Sequence, residues 1–287
     1  MKAQAFILHW NRPESCAETV RLFLQCPGLA VGVLDNGSHE GHLAKLKTLL
    51  GPIVEIMPLG SNLGWGAGLN RGLKRWLEND RTPFCFVSAD DARPALGALE
   101  KLLSAMEAHG ELGVLCPQYD VAQIGVFSPI RGPRLMPSQA GRNGTIHQAD
   151  FAHGTLTLFR RECLMQIGLF DESYFAYGDE MELSLRAKRA GWAVGLLRGA
   201  AVRNPETKVA ADVVQYLSSR NSLQLAARYG GGGQAIIRAL LMLLNSGRML
   251  CLPKSWRNRN CLPIPRLAAV RDYFLGRTGP PPNFLII

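Results

Sequence analysis

The feature that most narrows what this chain can fold into is a regular alternation of short apolar runs with segments of helical period, each of the early runs ending on a polar cluster. Gln4–Trp10 reads as a buried strand, and Pro13–Gln25 follows with Ala17, Val20, Leu22 and Leu24 at helical spacing. Leu29–Leu34, Ile53–Met57, Phe84–Val87 and Leu112–Cys116 are further strand-like runs. Helices are expected between them, one ending near Leu50, one over Gly66–Leu77 and one over Ala95–Ala108. Such alternation predicts an α/β fold, a mainly parallel sheet flanked by helices, because parallel neighbours need helical crossovers. Residues 117–148 break into Gly, Pro and Arg, as an irregular or hairpin insertion does, and Asp150–Asn204 resumes with strand, helix, acidic loop and helix.

Ligands of parallel α/β sheets bind beyond the carboxyl ends of the strands. Three polar clusters fall there: Asp35-Asn36-Gly37-Ser38, Ser61-Asn62-Leu63-Gly64 and Ser88-Ala89-Asp90-Asp91. Adjacent carboxylates at Asp90 and Asp91 repel unless a cation or basic groups compensate. Two readings are open: a divalent Mg or Mn ion bridging a diphosphate, or an aspartate capping the helix that starts near Pro94. Asp35 either makes an Asx turn or accepts a hydrogen bond from a pyrimidine N–H. Gly64, Gly66 and Gly68 allow close backbone approach to a ligand or tight helix packing, and their spacing leaves a methyltransferase open. Between Phe170 and Glu182, carboxylates stand among aromatics, a composition suited to a sugar site with a base for an acceptor hydroxyl. Acids at the start of the helix Leu183–Ala190 also have a purely stabilising explanation.

These elements in this order resemble family 2 glycosyltransferases, especially the bacterial rhamnosyltransferase-like branch, over roughly residues 3–229. The carriers are Trp10-Asn11-Arg12, Leu34 to Ser38, Asn62 to Gly72, Ala89-Asp90-Asp91 with Pro94, Gly154 through Arg161 to Glu172, Tyr174 to Trp192, and Arg220-Asn221. The resemblance implies a GT-A, Rossmann-like fold, with a donor half at 1–116 and an acceptor half at 117–229. It implies inverting transfer of rhamnose or another hexose from a dTDP- or UDP-sugar to a glycan or lipid-linked glycan of the bacterial surface. Asp91 then corresponds to the metal ligand and Asp35 to the nucleobase acid. Trp10, Asn11, Asn36, Asn62, Gly64, Asn70 and Asp90 fall on the donor side, and Gly154, Tyr177 and Trp192 on the acceptor side. Asp179 and Glu180 match the acids that include the base, in Asp-Glu order where the family usually reads Glu-Asp. Ala89 stands where Asn or Asp is common, and Val202-Arg203-Asn204-Pro205 where a histidine often stands, so Arg203 is the expected phosphate contact and the metal is expected to bind weakly. These departures also leave open a silent nucleotide-sugar-binding scaffold.

Composition adds the compartment and the tail. Seven scattered cysteines without a Cys-x-x-Cys pair point to a reducing cytoplasm rather than a disulfide framework. No run reaches the ~20 apolar residues of a membrane span, and the amino-terminal run is too short for a signal peptide. Net charge is +9, and from Gln234 onward eight Lys or Arg face one acid, Asp272. Residues 230–287 are therefore expected to form a basic helical extension. Ile236 to Leu244 is intensely apolar with Arg248, Lys254, Trp256, Arg257 and Arg259 beyond it, which suits either a helix capping the domain or an anionic membrane surface bound through 234–260. The second reading would make the protein peripheral on the inner membrane. No nucleic-acid partner is expected, since tail charge alone argues for one.

Overall fold

The computed structural model describes residues 3–119, 123–138, 142–205, 209–252 and 262–283. These divide into two units: Met1–Val126 with Leu135–Asp171 and Glu180–Thr207, and Phe127–Arg134 with Glu172–Asp179 and Lys208–Ile287.

Among the described residues of the first unit, nine strands form one sheet in the order β3-β2-β1-β4-β10-β6-β11-β5, with β9 pairing β11. The first half alternates as expected: β1 (Ala3–His9), α1 (Pro13–Phe23), β2 (Leu29–Asp35), α2 (Glu40–Leu50), β3 (Glu55–Pro58), α3 (Trp65–Asn79), β4 (Phe84–Ala89), β5 (Arg93–Pro94), α4 (Ala98–Ala108) and β6 (Leu112–Gln118). β1 runs parallel to β2 and β4, and β2 parallel to β3. The insertion after β6 supplies β7 (Gln123–Ser128), β8 (Gly132–Pro137) and β9 (Ile146–Gln148), of which β7 and β8 form a two-stranded sheet. β10 (Leu156–Arg160) enters antiparallel between β4 and β6, followed by α5 (Arg161–Ile167) and α6 (Asp179–Arg189).

Period-two alternation in β1 gives the sheet its two covered faces. Ala5 and Ile7 pack with Val20 and Phe23 of α1, Leu46 of α2 and Leu102 of α4. Phe6 and Leu8 pack on the other side with Leu69, Leu73 and Trp76 of α3, Leu164 of α5 and Leu183 of α6. A strand buried on both faces has to be apolar throughout, which is why Gln4–Trp10 is legible as one.

One element departs from expectation. After α6 the chain closes with an eleven-residue strand, β11 (Ala193–Arg203), parallel to β6, where a helix was expected to end the block. Its register shifts between Ala193 and Val194 and between Leu197 and Ala201, and Gly199 sits at φ +85°. Those irregularities break the period of two that would mark a strand in the sequence.

The second unit is helical: α7 (Ala211–Gly230), α8 (Gly232–Cys251) and α9 (Pro263–Phe274). α7 is grouped with α8 and α9. Leu223 of α7, Ala239 of α8 and Val270 of α9 share one core, and the Tyr216 hydroxyl donates 2.8 Å to the buried Asp272. Gly231, at φ +87°, separates α7 from α8. Lys254, Trp256, Arg257 and Arg259 lie outside the described residues.

Candidate active site

The loops after β1, β2, β3 and β4 are stitched to one another by side chains of the expected site residues. Trp10 N–H donates to Asp90 Oδ2 at 3.1 Å, and Asn11, at φ +57°, donates its N–H to Ser38 Oγ while its Oδ1 accepts from His39 N–H at 2.8 Å. Asn36 Nδ2 donates to Asn62 Oδ1 and to the Gly64 carbonyl, both at 3.1 Å, and Asn36 Oδ1 accepts from Leu63 N–H. Asn62 Oδ1 also accepts from Gly64 N–H at 3.0 Å, which shapes the turn into α3. A Cβ on Gly37 would stand 2.4 Å from the Ser61 backbone, so the glycine of Asp35-Asn36-Gly37-Ser38 is dictated by the approach of one loop to the next.

Asp90 and Asp91 are both buried at the end of β4, and their compensation is visible. Arg12, the residue that precedes α1, bridges them: Nη2 reaches Asp90 Oδ1 in a short contact and Nη1 reaches Asp91 Oδ2 at 2.7 Å. The Asp90 carbonyl accepts from Ser15 Oγ and Thr19 Oγ1. Burial pushes the Asp90 carboxyl up to about 6, against the opposing pull of Arg12 and Trp10. The capping alternative drops out, because the following helix, α4, begins at Ala98 behind Gly97. The two aspartates differ in what they leave over. Both Asp90 oxygens are engaged, whereas Asp91 Oδ1 is buried without a hydrogen-bond partner among the described residues. A hard cation would take such an oxygen, so the residues present fit a divalent metal held at Asp91. Groups of three or more His, Cys, Asp or Glu able to hold a metal are absent among the described residues, which limits the protein's share of the coordination.

Asp35 is 2 % exposed; its Oδ2 accepts from Ser38 N–H at 3.4 Å, and its Oδ1 has no hydrogen-bond partner among the described residues. His9 Nδ1 lies 3.9 Å from that oxygen, but burial pushes His9 down to about 4, so the ring is neutral near pH 7. Asp35 thus keeps one acceptor for a ligand N–H.

A second group lies beyond β6 and before β10. The Tyr119 and Thr155 hydroxyls share a short hydrogen bond, and the Thr155 carbonyl accepts from Ala89 N–H at 3.0 Å, which ties the group to the aspartate loop. The Tyr119 ring lies on that of His153, centroids 4.2 Å apart, and His153 Nε2 donates to the Pro117 carbonyl at 2.7 Å. Burial lowers His153 to about 4 and raises Tyr119 to about 12, and the charges of Glu180 and Asp91 push Tyr119 the same way. Ser184 Oγ donates to the Glu180 carbonyl at 2.7 Å and accepts from Ala152 N–H at 3.2 Å, fixing α6 against the 152–154 segment. A Cβ on Gly154 would stand 3.6 Å from the Glu180 carboxylate, so the acid lies over bare backbone. Glu180 is half-buried, whereas Asp179 is 1 % exposed and Glu182, fully buried, is paired to Arg186 at 2.7 Å.

Several expected residues have other employment. Asn70 clamps the Phe170 peptide, its Nδ2 donating to the carbonyl at 2.9 Å and its Oδ1 accepting the N–H at 3.0 Å. Trp192 is placed at the wrong end of the sheet for an acceptor contact. It precedes Ala193, which pairs with Leu112 at the start of β6, and its indole donates to Gln166 at 2.7 Å. That is a strand's length, roughly 20 Å, from the carboxyl ends. Arg203 does end β11 at the carboxyl side, opposite Arg93, and is exposed. In the second unit, Tyr177 and Phe175 have positive φ of 63° and 66°, and the buried Asn221 donates to the Tyr174, Ala176 and Tyr177 carbonyls at 2.9, 2.7 and 3.0 Å. Arg12, Tyr119 and His153 were not singled out as site residues from sequence. Arg12 stood within a quoted motif, Tyr119 follows a strand end and His153 precedes Gly154, and those positions were the available signals.

This sheet, with carboxylates gathered at its carboxyl ends, is that of the GT-A glycosyltransferases. A mannosyltransferase from Pyrobaculum calidifontis, solved with GDP-Man and Mn2+, superposes with a TM-score of 0.63 at 14 % identity over 96 % of this chain and 87 % of that one. GalNAc-T7, solved with UDP, GalNAc and Mn2+, gives 0.65 at 12 % identity over 96 % of this chain and 56 % of the other. At such identities these matches establish the shared fold. The sequence is more particular: the glycosyl transferase family 2 profile matches residues 5–168, and a glycosyltransferase-like family 2 profile matches residues 134–220. The chain belongs to glycosyl transferase family 2 and is a transferase. Its relatives include the N-acetylglucosaminyl-diphospho-decaprenol L-rhamnosyltransferase of Mycobacterium tuberculosis, 25 % identical over 246 residues, 73 % of this chain and 78 % of the relative. A low-salt glycan biosynthesis hexosyltransferase, Agl10 of Haloferax volcanii, is 30 % identical over 91 residues, 30 % of each chain. Membership removes the methyltransferase alternative, and Gly68 has a packing explanation: a Cβ on it would stand 2.8 Å from Leu8, as one on Gly72, a turn further along α3, would stand 2.7 Å from Phe6.

Proposed function

We propose that this glycosyltransferase moves rhamnose or another hexose from a dTDP- or UDP-sugar to a lipid-linked glycan of the bacterial surface, with inversion. The observation that carries the reading is the uncommitted buried oxygen of Asp91 at the carboxyl end of β4, beside which the reading sets the Glu180 carboxylate lying over Gly154 as the base. Asp35 accepts the N–H of a pyrimidine base, and Trp10, Asn11, Asn36, Asn62 and Gly64 shape the loops around it. Asp91 would hold a Mg or Mn ion, which when bound neutralises charge growing on the departing diphosphate. Arg12 keeps the two aspartates from repelling each other, and the exposed Arg203 is the candidate phosphate contact.

Glu180 takes the proton of the acceptor hydroxyl as its oxygen bonds to the anomeric carbon, while the bond from that carbon to the diphosphate breaks and its electron pair leaves with the nucleotide. Glu180 is preferred over Asp179 because a base has to reach substrate, and Asp179 is buried. The lipid-linked acceptor is suggested by the mycobacterial relative, an N-acetylglucosaminyl-diphospho-decaprenol L-rhamnosyltransferase. The test is nucleoside diphosphate release from dTDP-rhamnose and UDP-hexoses with Mn2+ and an N-acetylglucosaminyl-diphospho-polyprenol acceptor. Acceptor-dependent release of dTDP or UDP is expected; release no faster than the blank from every such donor would sink the proposal.

A further inference from the structure

Within the helical unit, α8 has two apolar sides. One packs inward: Ala235, Ala239, Ser246 and Met249 are buried, and Met242 joins the core formed with α7 and α9. At 100° per residue the opposite side carries Ile236, Ile237, Leu240, Leu241 and Leu244, which are between 46 % and 70 % exposed. A surface helix normally turns charged residues outward, and one that is apolar all round needs something to cover it. α8 spans 20 residues, about 30 Å, yet no helix among the described residues is long and apolar enough to cross a membrane.

We infer that this outer face of α8 lies in the plane of an anionic lipid bilayer, its leucines and isoleucines inserted among the acyl chains. Charge chooses the occupant. α8 contains no acid, Arg248 is exposed on the flank of the apolar face next to Leu241 and Leu244, and Lys254, Arg257 and Arg259 follow in the sequence. A second copy seated on this face would bring like charge against like, whereas anionic headgroups complement it. The inference concerns where the enzyme sits and stands independently of the donor and acceptor proposed above.

The test is co-sedimentation of the full chain with phosphatidylglycerol/phosphatidylcholine vesicles and with phosphatidylcholine vesicles, beside a Leu240→Gln/Leu244→Gln variant. Both leucines are more than half exposed, so the variant should keep the circular dichroism and melting temperature of the parent. Binding to the anionic vesicles, weakened by added salt and roughly tenfold or more in the variant, is expected. Absence of binding, equal binding to neutral vesicles, or equal binding by parent and variant overturns the inference. So does a dimer in light scattering that the variant dissolves while neither form binds vesicles. Nucleoside diphosphate release without vesicles, expected to be the same for both forms, reads the proposed chemistry separately.

Discussion

At the scale of single residues, chemistry divides between acids that are committed and acids that are not. Asp90 is held by Trp10 and Arg12, and Glu182 by Arg186, so both act as struts, while Asp91 and Asp35 each retain a buried oxygen without a hydrogen-bond partner among the described residues. Asp91→Asn should therefore remove the Mn2+-dependent part of a thermal shift with nucleoside diphosphate, while Asp35→Asn weakens nucleotide binding with or without metal. Glu180→Gln should lower kcat by about 10²–10⁴-fold with little change in the KM for donor, as expected for loss of a general base. Asp179→Asn should show its effect first in the melting temperature. A rate profile in which Asp179→Asn loses more kcat than Glu180→Gln would reverse the assignment.

At the scale of elements, close approach decides which glycines and amides matter. Gly72→Ala should destabilise by about 1–3 kcal/mol, because its Cβ would meet the Phe6 ring at 2.7 Å inside a filled core. Gly41→Ala in α2 meets nothing within 4 Å and should be neutral or stabilising by about 0.5–1 kcal/mol. Urea unfolding of the two variants checks the contrast. Asn221 of α7 holds the Tyr174, Ala176 and Tyr177 carbonyls of the aromatic loop that contains two positive-φ residues, so Asn221→Ala should cost about 1–3 kcal/mol. Asn221→Asp, which keeps the shape but not the donors, should not rescue it.

At the scale of the whole molecule, buried titrating groups set how stability depends on pH. His9 and His153 are both lowered to about 4, so the folded chain keeps them neutral where the unfolded chain binds protons. Stability they contribute above pH 6.5 is lost as pH falls toward 4, by roughly 3 kcal/mol for each histidine. Asp90, raised to about 6, works in the other sense: the fold holds its proton more tightly than the unfolded chain, so its contribution is largest below its ordinary value and fades as pH rises through 6. Two groups outweigh one, and the melting temperature should drop between pH 6.5 and 4.5. A His153→Gln variant that keeps the full drop would count against the assignment.

Local rules made much of the chain legible. A strand buried on both faces must be apolar, a crossover helix must carry a stripe, and polar tips must gather at the carboxyl ends, so β1, β2, β4, α3 and the aspartate loop could be read from residue order. The family followed from the same ordered motifs. Tertiary structure alone decided the rest, because it depends on which distant residues meet. Arg12 reaches Asp90 and Asp91 across nearly 80 residues, Asn70 spends its amide on the Phe170 peptide, and Trp192 falls at the far end of the sheet because it precedes a strand that runs parallel to β6. The sequence could show that α8 is apolar; only packing against α7 and α9 determined which side of it is left facing out.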